Sequence, residues 1–168
     1  DCNADGYVTN IYTIAIGAIS GDGSQTSYSE SCASMLAVTL SGSSINDSSK
    51  YEFVTTDMDN QCIEKFSGTS SAASVATGVI ALMLQSNPLL TWRDVQYLIV
   101  ETSIITNPTN PGWTRNGVGK WFNPLYGFGK LDAFTLVDRA YHWETVKNQK
   151  KCRAQTRNGP WHMFFQFN

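Results

Sequence analysis

The hydrophobic residues of this 168-residue chain follow two different periods, and the change between them is the strongest constraint on its fold. The first part holds near-continuous apolar or β-branched runs at Ile11–Ile19, Met35–Leu40 and Tyr51–Thr56, which predict strands. Strands that are apolar along their whole length indicate a sheet covered on both faces. Strands followed by helices are compatible with either an α/β or an α+β fold.

Helical spacing of apolar residues follows the strands. It predicts three helices: Ser70–Ser86, a segment from Thr91 to about Ser103, and Asp132–Trp143. Thr91 is a favourable N-cap because Asp94 stands three residues later, as in a capping box. Residues 149–168 show no period typical of a strand or a helix, so we expect a divergent and poorly ordered tail there.

Composition excludes several classes of function. The length and the 42% hydrophobic content suit one domain, or part of one. A formal charge of -2 and the lack of a Lys/Arg-rich block predict no nucleic-acid partner. The longest apolar stretch, Val79–Leu84, is far too short to span a bilayer, and a targeting signal would have to lie outside this sequence.

The four cysteines, Cys2, Cys32, Cys62 and Cys152, are widely spaced and form no Cys-x-x-Cys pair. This spacing favours disulfides over a zinc site. Disulfides in turn favour an oxidising, secretory compartment.

A run of small residues, Ser67 to Gly78, leads into the first predicted helix. Ser70 would lie near a helix N-terminus, where free N–H groups and the helix dipole can stabilise an oxyanion, which suits a nucleophile in acyl transfer. The same residues have a plainer interpretation, in which Thr69 or Ser70 is an N-cap and the small side chains allow close packing. Composition alone favours the plainer interpretation.

The segment Gly68-Thr69-Ser70, with the small-residue helix after it, resembles the active-serine motif of the subtilases. The flanking sequence resembles the proprotein convertase (furin and kexin) branch of that family. The resemblance implies an α/β, partial subtilisin-like fold, with mainly parallel strands, the active-serine helix and packing helices in residues 1–148. The matching blocks are Asp5-Gly6-Tyr7, Asn10-Ile11-Tyr12-Thr13, Tyr28-Ser29-Glu30-Ser31-Cys32-Ala33-Ser34, Val54-Thr55-Thr56-Asp57, Leu90-Thr91-Trp92-Arg93-Asp94-Val95-Gln96, Asn116-Gly117-Val118-Gly119 and Tyr126-Gly127-Phe128-Gly129-Lys130-Leu131-Asp132-Ala133.

For catalysis, the resemblance implies that Ser70 is the nucleophile and that Gly68 and Thr69 belong to the active-serine loop. The backbone N–H of Ser70 would donate to the oxyanion. The histidine and aspartate of the triad, with the oxyanion-hole asparagine, are expected upstream of this chain. His142 and His162 are interpreted as surface side chains, so the chain by itself is expected to be inactive.

For specificity, the resemblance implies that Asp5 binds a substrate arginine, for which carboxylates are chemically apt. Glu30 matches a ligand of a structural calcium ion behind that pocket. The other carboxylates of that site are expected mainly upstream, and calcium requires about six to eight oxygen ligands. The calcium site is therefore expected to be incomplete in this chain.

The cysteines also match the family. Cys2 and Cys32 correspond to a family disulfide, Cys62 to a cysteine paired upstream, and Cys152 to one paired in a β-rich downstream domain. One departure is Ser74, where the family usually has proline; serine keeps the backbone N–H and loses the fixed φ.

Two functions follow as hypotheses. The first is a calcium-dependent serine endopeptidase that processes proproteins after basic residues in the secretory pathway, in the Golgi or secreted. Its partners would be peptide substrates, the upstream catalytic portion and the downstream β-rich domain. The second is a truncated or inactive relative that acts at most as a binding module, which the divergent tail and Ser74 favour.

Overall fold

Two parallel strands lie at the centre of the fold. The computed structural model describes residues 1–42, 53–155 and 162–167. Strands β1 (Ala15–Ile19) and β2 (Met35–Leu40) pair in parallel. Parallel pairing requires a crossover connection, which here is formed by residues 20–34. A further parallel bridge joins Val38 of β2 to Lys130.

The prediction for Met35–Leu40 is confirmed, whereas the strand predicted from Ile11 begins only at Ala15. Asn10 explains the late start. Its side-chain oxygen accepts a hydrogen bond from the Tyr12 N–H at 2.9 Å, and its carbonyl accepts one from the Thr13 N–H at 3.0 Å. An asparagine that bonds to the backbone ahead of it forms a turn, so the apolar residues at 11 and 12 lie in that turn.

The predicted strand Tyr51–Thr56 is wrong in length. Residues 51 and 52 lie outside the described residues, and strand β3 (Thr55–Thr56) pairs antiparallel with β4 (Cys62–Ile63). The chain reverses between these strands, with Asp59 and Asn60 at φ of 55° and 57°. Asp and Asn tolerate this left-handed conformation better than other side chains.

All three predicted helices are present, as α1 (Thr69–Ser86), α2 (Trp92–Thr102) and α3 (Ala133–Tyr141). The predicted N-cap of α2 is confirmed: Thr91 and Asp94 bond reciprocally in a capping box. Asp132 caps α3 through the Thr135 N–H. Within the described part of the chain, no helix has both the length and the apolarity needed to cross a membrane.

One hydrophobic core joins these helices to the sheet. Its buried residues are Ala37, Ala76, Met83, Val95, Leu98, Ile99, Leu131, Leu136 and Ala140. Val38, the residue after Ala37, is buried in a separate cluster with Ile19 and Tyr126. Because successive strand side chains point to opposite faces, β2 is covered on both faces, as its sequence predicts.

Two further antiparallel pairs complete the described structure. Strands β5 (Thr114–Arg115) and β6 (Trp121–Phe122) form a hairpin. Strands β7 (Lys150–Gln155) and β8 (His162–Phe167) pair in the region for which the sequence predicts no regular element. Each of these strands is stabilised by pairing with the other, so neither segment needs a strong hydrophobic period of its own.

Candidate active site

Ser70 lies in the first turn of α1 and is exposed. The N-cap of this helix is Gly68, and among the described residues no side chain caps it. Thr69 and Ser70 are therefore helical residues, and the interpretation of either as an N-cap is wrong. An uncapped N-terminus keeps free N–H donors and the positive end of the helix dipole next to the serine hydroxyl. This is the environment that stabilises an oxyanion.

The turn that leads into Ser70, residues 67–69, is attached to the carboxyl end of β2; we call it the active-serine turn. Gly42 forms a parallel bridge with Ser67, and the Thr39 hydroxyl donates to the Ala72 carbonyl at 2.7 Å. A Cβ at Gly42 would lie 2.1 Å from the Phe66 carbonyl oxygen, so this close approach requires glycine. Ligand sites in α/β folds lie at the carboxyl ends of the strands, and Ser70 is held at that edge.

Gly68 has φ of 104° and ψ of 161°, a conformation that is essentially restricted to glycine. Among the residues that the structure describes, the one neighbour of a Cβ there would be the Ser70 backbone nitrogen, at 3.9 Å. We therefore expect Gly68→Ala to destabilise the protein by about 1–3 kcal/mol through backbone strain alone. Thermal unfolding measures this cost.

The matched control is Gly117→Ala, because an added Cβ at Gly117 has no neighbour within 4 Å in the described structure and φ there is not positive. Its expected effect is within about 0.5 kcal/mol of zero. Equal unfolding temperatures for the two variants would contradict the strain assigned to Gly68.

Ser74 acts on the same turn of α1. Its hydroxyl donates to the Ser70 carbonyl at 2.9 Å. A serine that bonds back to the residue four positions earlier competes with the helical hydrogen bond of that carbonyl and tends to bend the helix. The departure from proline therefore adds a contact to the residue that carries the candidate nucleophile.

Asp5 lies in a turn. Its Oδ1 accepts hydrogen bonds from the Tyr7 N–H at 2.7 Å and the Val8 N–H at 3.0 Å, and the residue is exposed. The second carboxylate oxygen is not used in this turn.

A cavity of about 170 Å³ reaches the active-serine helix. Thr69, the residue before the candidate nucleophile, lies on its wall, and so does Glu30. Val8 is a further lining residue, and its N–H binds Asp5, which places the Asp5 carboxylate one hydrogen bond from the wall. The cavity thus joins the neighbour of Ser70 to an acidic region.

Glu30 Oε2 lies 2.8 Å from the backbone nitrogen of Asp1, and both side chains are largely exposed. Within the described residues, no group of three or more His, Cys, Asp or Glu side chains could hold a metal ion. Glu30 supplies one carboxylate, which does not satisfy the six to eight oxygen ligands of calcium. The described residues therefore do not form a complete calcium site.

Cys2 and Cys32 form a disulfide with an S–S distance of 2.06 Å, as the resemblance implies. Asn3 reinforces this link, because its side-chain oxygen accepts a hydrogen bond from the Ala33 N–H at 2.9 Å. The thiol of Cys62 is free and exposed. The side chain of Cys152 lies outside the described part of the structure.

The chain has two histidines, His142 and His162. His142 is the exposed C-cap of α3, where its ring contacts Tyr141 edge to face at 4.8 Å. His162 lies in β8, where only the backbone is described.

Comparison with known proteins assigns the family. Residues 3–129 match the subtilase family. A PC3-like endoprotease (variant B) of Hydra vulgaris is 52% identical over 92% of this chain and 22% of the relative. The proprotein convertase subtilisin/kexin type 4 of Mus musculus is 43% identical over 95% of the chain and 24% of the relative. Human furin is 44% identical over 90% of the chain and 19% of the relative.

Solved structures show the same fold. A serine protease of Aeromonas sobria superposes with a TM-score of 0.69 at 20% identity, over 84% of this chain and 32% of that protein. MycP1 with its N-terminal propeptide removed superposes with a TM-score of 0.59 at 19% identity, over 79% of this chain and 38% of that protein. These likenesses confirm the predicted α/β, partial subtilisin-like fold.

The chain spans about a fifth to a quarter of the length of the curated relatives it matches. The family match covers most of the chain, and the curated relatives are proprotein convertases. The chain therefore belongs to the subtilase family, in its proprotein convertase branch.

Proposed function

We propose that the protein containing this chain is a serine endopeptidase of the secretory pathway that cuts proproteins after basic residues, with Ser70 as its nucleophile. The observation that carries the proposal is the exposed Ser70 at the uncapped N-terminus of α1, at the carboxyl edge of a parallel sheet. Relatives named as endoprotease and as furin support the same reaction. The Cys2–Cys32 disulfide supports an oxidising compartment.

The proposed reaction is acyl transfer. Ser70 Oγ attacks the carbonyl carbon of the scissile peptide bond, and a histidine outside this chain accepts the hydroxyl proton. The carbonyl oxygen becomes an oxyanion, which the Ser70 backbone N–H and the dipole of α1 stabilise. The histidine then protonates the leaving amine as the C–N bond breaks. Water releases the acyl group from Ser70 and restores the hydroxyl.

The cavity beside Thr69 supports the preference for a basic residue. Thr69 lies on its wall next to the nucleophile, and Val8, another lining residue, donates its N–H to the Asp5 carboxylate. A guanidinium or ammonium group of the substrate can pair with the Asp5 carboxylate, which an uncharged side chain would leave without a cationic partner. Calcium enters the proposal only as a structural ion, with Glu30 as one ligand and the remaining ligands from outside the described residues.

The test compares two fluorogenic peptides that differ only in arginine or its neutral analogue citrulline before the cleaved bond. The enzyme is the complete polypeptide in which this chain occurs. We expect kcat/KM to be at least about 100-fold higher for arginine, because citrulline cannot form a charge-assisted bond with a carboxylate. Equal rates for the two peptides would contradict the proposed specificity, and no Ser70-dependent cleavage of either would favour the non-catalytic binding module.

Asp5→Asn isolates the charge of Asp5 from its role in the turn. Asparagine keeps an Oδ1 acceptor for the Tyr7 and Val8 N–H groups and loses the negative charge. We expect this variant to reduce the preference for arginine about tenfold. Asp22→Asn is the matched control, because Asp22 Oδ1 accepts from the Ser24 N–H at 2.9 Å in a similar exposed turn. An equal reduction in both variants would rule out a specific role for Asp5.

A further inference from the structure

Three hydroxyl groups from distant parts of the chain meet beneath the active-serine turn. Tyr28 OH lies 2.8 Å from Ser41 Oγ, and Ser41 Oγ lies 2.5 Å from Ser71 Oγ. Ser41 and Ser71 are 3% and 1% exposed, so water cannot replace these contacts. We call Tyr28, Ser41 and Ser71 the hydroxyl clamp.

The common acceptor of the two serines is the carbonyl of Gly68. Ser41 Oγ and Ser71 Oγ each lie 2.9 Å from this oxygen in donating geometry, and the Ser71 N–H donates to it at 3.1 Å. Gly68 is the N-cap of α1, so its carbonyl accepts the first hydrogen bond of the helix. Its orientation sets the direction in which Thr69 and Ser70 leave the turn.

The available protons allow the clamp to hold this carbonyl. Each hydroxyl has one proton to donate. Tyr28 can donate to Ser41 or to the Gly42 carbonyl, which it also contacts. If Ser71 then donates to Ser41, the Ser41 proton is free for Gly68; if Ser41 donates to Ser71, the Ser71 proton is free for Gly68. The Gly68 carbonyl keeps a side-chain donor in both arrangements, and loses it only when Ser41 donates to Tyr28 while Ser71 donates to Ser41.

We propose that the hydroxyl clamp positions Ser70 for attack by fixing the Gly68 carbonyl against the end of β2. This inference rests on the proposed function, because positioning has meaning only if Ser70 reacts. Ser41 and Ser71 are buried and do not line the cavity beside Thr69, whereas Tyr28 does, so Ser71 is the residue whose loss reports positioning most cleanly. Tyr28, Ser41 and Ser71 are positioning residues, which act through Gly68, and a loss of their contacts lets the nucleophile shift relative to the oxyanion donors.

Ser71→Ala removes one hydroxyl from the clamp, and Tyr28→Phe removes another by deleting a single atom. In the complete polypeptide we expect Ser71→Ala to lower kcat for an arginine peptide about tenfold, because small displacements of a nucleophile cost rate steeply. KM should change less than about twofold, since the substrate contacts are unaltered. Tyr28→Phe should lower kcat by a smaller factor, and the double variant should lose less than the product of the single losses, because the hydroxyls are linked through Ser41.

Thr77→Ala is the matched control. Thr77 Oγ1 donates to the Ala73 carbonyl at 2.8 Å on the exposed side of the same helix, away from the clamp, so its loss should leave kcat unchanged. The reaction of Ser70 with a fluorophosphonate is measured in parallel. Suppose that Ser70 of the wild-type protein reacts. If Ser71→Ala and Tyr28→Phe then keep the wild-type kcat, or if they change only KM, the proposed positioning role of the clamp is overturned. If the wild-type Ser70 does not react, the proposed function is overturned instead.

Discussion

Ser70→Ala should abolish peptide hydrolysis by the protein that contains this chain. The expected loss in kcat is of the same order as the roughly 10⁶-fold loss that subtilisin, the namesake of the family, shows when its serine is removed. In the proposed mechanism the Ser70 Oγ forms the ester bond of the acyl-enzyme, so no covalent intermediate can form without it. Peptide binding should persist, because alanine leaves the cavity next to Thr69 in place. Cleavage of an arginine peptide and direct binding of the same peptide measure the two effects separately.

Ser86→Ala is the control for this experiment. Ser86 is the last residue of α1, and its hydroxyl donates to the Val137 carbonyl at 3.2 Å, at the opposite end of the helix from Ser70. It should keep wild-type kcat. Residual cleavage of more than about a thousandth in Ser70→Ala would contradict the role of Ser70 as the only nucleophile.

Asp94→Ala should strongly destabilise the protein. Asp94 is fully buried, and its carboxylate accepts four hydrogen bonds. Two come from the Thr91 N–H and hydroxyl, at 2.7 and 2.6 Å, and two from the Trp143 indole and the Val146 N–H, at 2.9 and 2.8 Å. The carboxylate thus caps α2 and also fastens the segment that follows α3. Its removal leaves buried donors without acceptors, at a cost of about 3 kcal/mol or more.

Asp132→Ala is the matched control for Asp94, because Asp132 is also an aspartate at a helix N-terminus, and its hydrogen bonds to Thr135 lie within its own first turn. Its loss should cost about 1 kcal/mol, as is usual for an N-cap. Thermal or urea unfolding of the two variants measures the difference. Equal destabilisation would show that the contacts of Asp94 with Trp143 and Val146 contribute nothing beyond capping.

The free energy of unfolding should fall at acid pH, because the pKa of Asp94 is lowered in the folded protein. Burial raises the pKa of Asp94 by desolvation, but hydrogen bonds from Thr91, Val146 and Trp143 outweigh this effect and hold the pKa below its ordinary value. A carboxyl whose folded-state pKa is depressed contributes stability above its unfolded pKa of about 4, and this contribution is lost as the pH falls through the folded value. Asp94→Asn should therefore flatten the acid limb of the stability profile.

Local signals predicted much of the fold. The capping pair Thr91 and Asp94 lies within one helical turn, so sequence alone locates the start of α2. Met35–Leu40 is a near-continuous apolar run because β2 is covered on both faces. The first and last residues of the run are therefore also the first and last residues of the strand. The late start of β1 was missed because the side chain of Asn10 competes with strand pairing, a contact that apolar periodicity does not report.

Non-local contacts could not be predicted in the same way. The hydroxyls of the clamp are far apart in sequence, and serine and tyrosine are ordinary residues in turns and strands. The antiparallel pairing of β7 with β8 likewise depends on which segments meet, not on a period within either one. For the site, the motif around Ser70 predicted the candidate nucleophile, whereas the cavity that relates Thr69 to Glu30 became visible only in the structure.

Covalent labelling is the most direct test of whether Ser70 is an activated nucleophile. The complete polypeptide is treated with a fluorophosphonate and digested with trypsin, which releases Ser70 in the peptide Phe66–Arg93. We expect one phosphonate adduct on this peptide, assigned to Ser70 by fragmentation in the mass spectrometer and absent when the protein is denatured before treatment. No adduct in the folded protein, or an adduct on another serine of the same peptide, would contradict it.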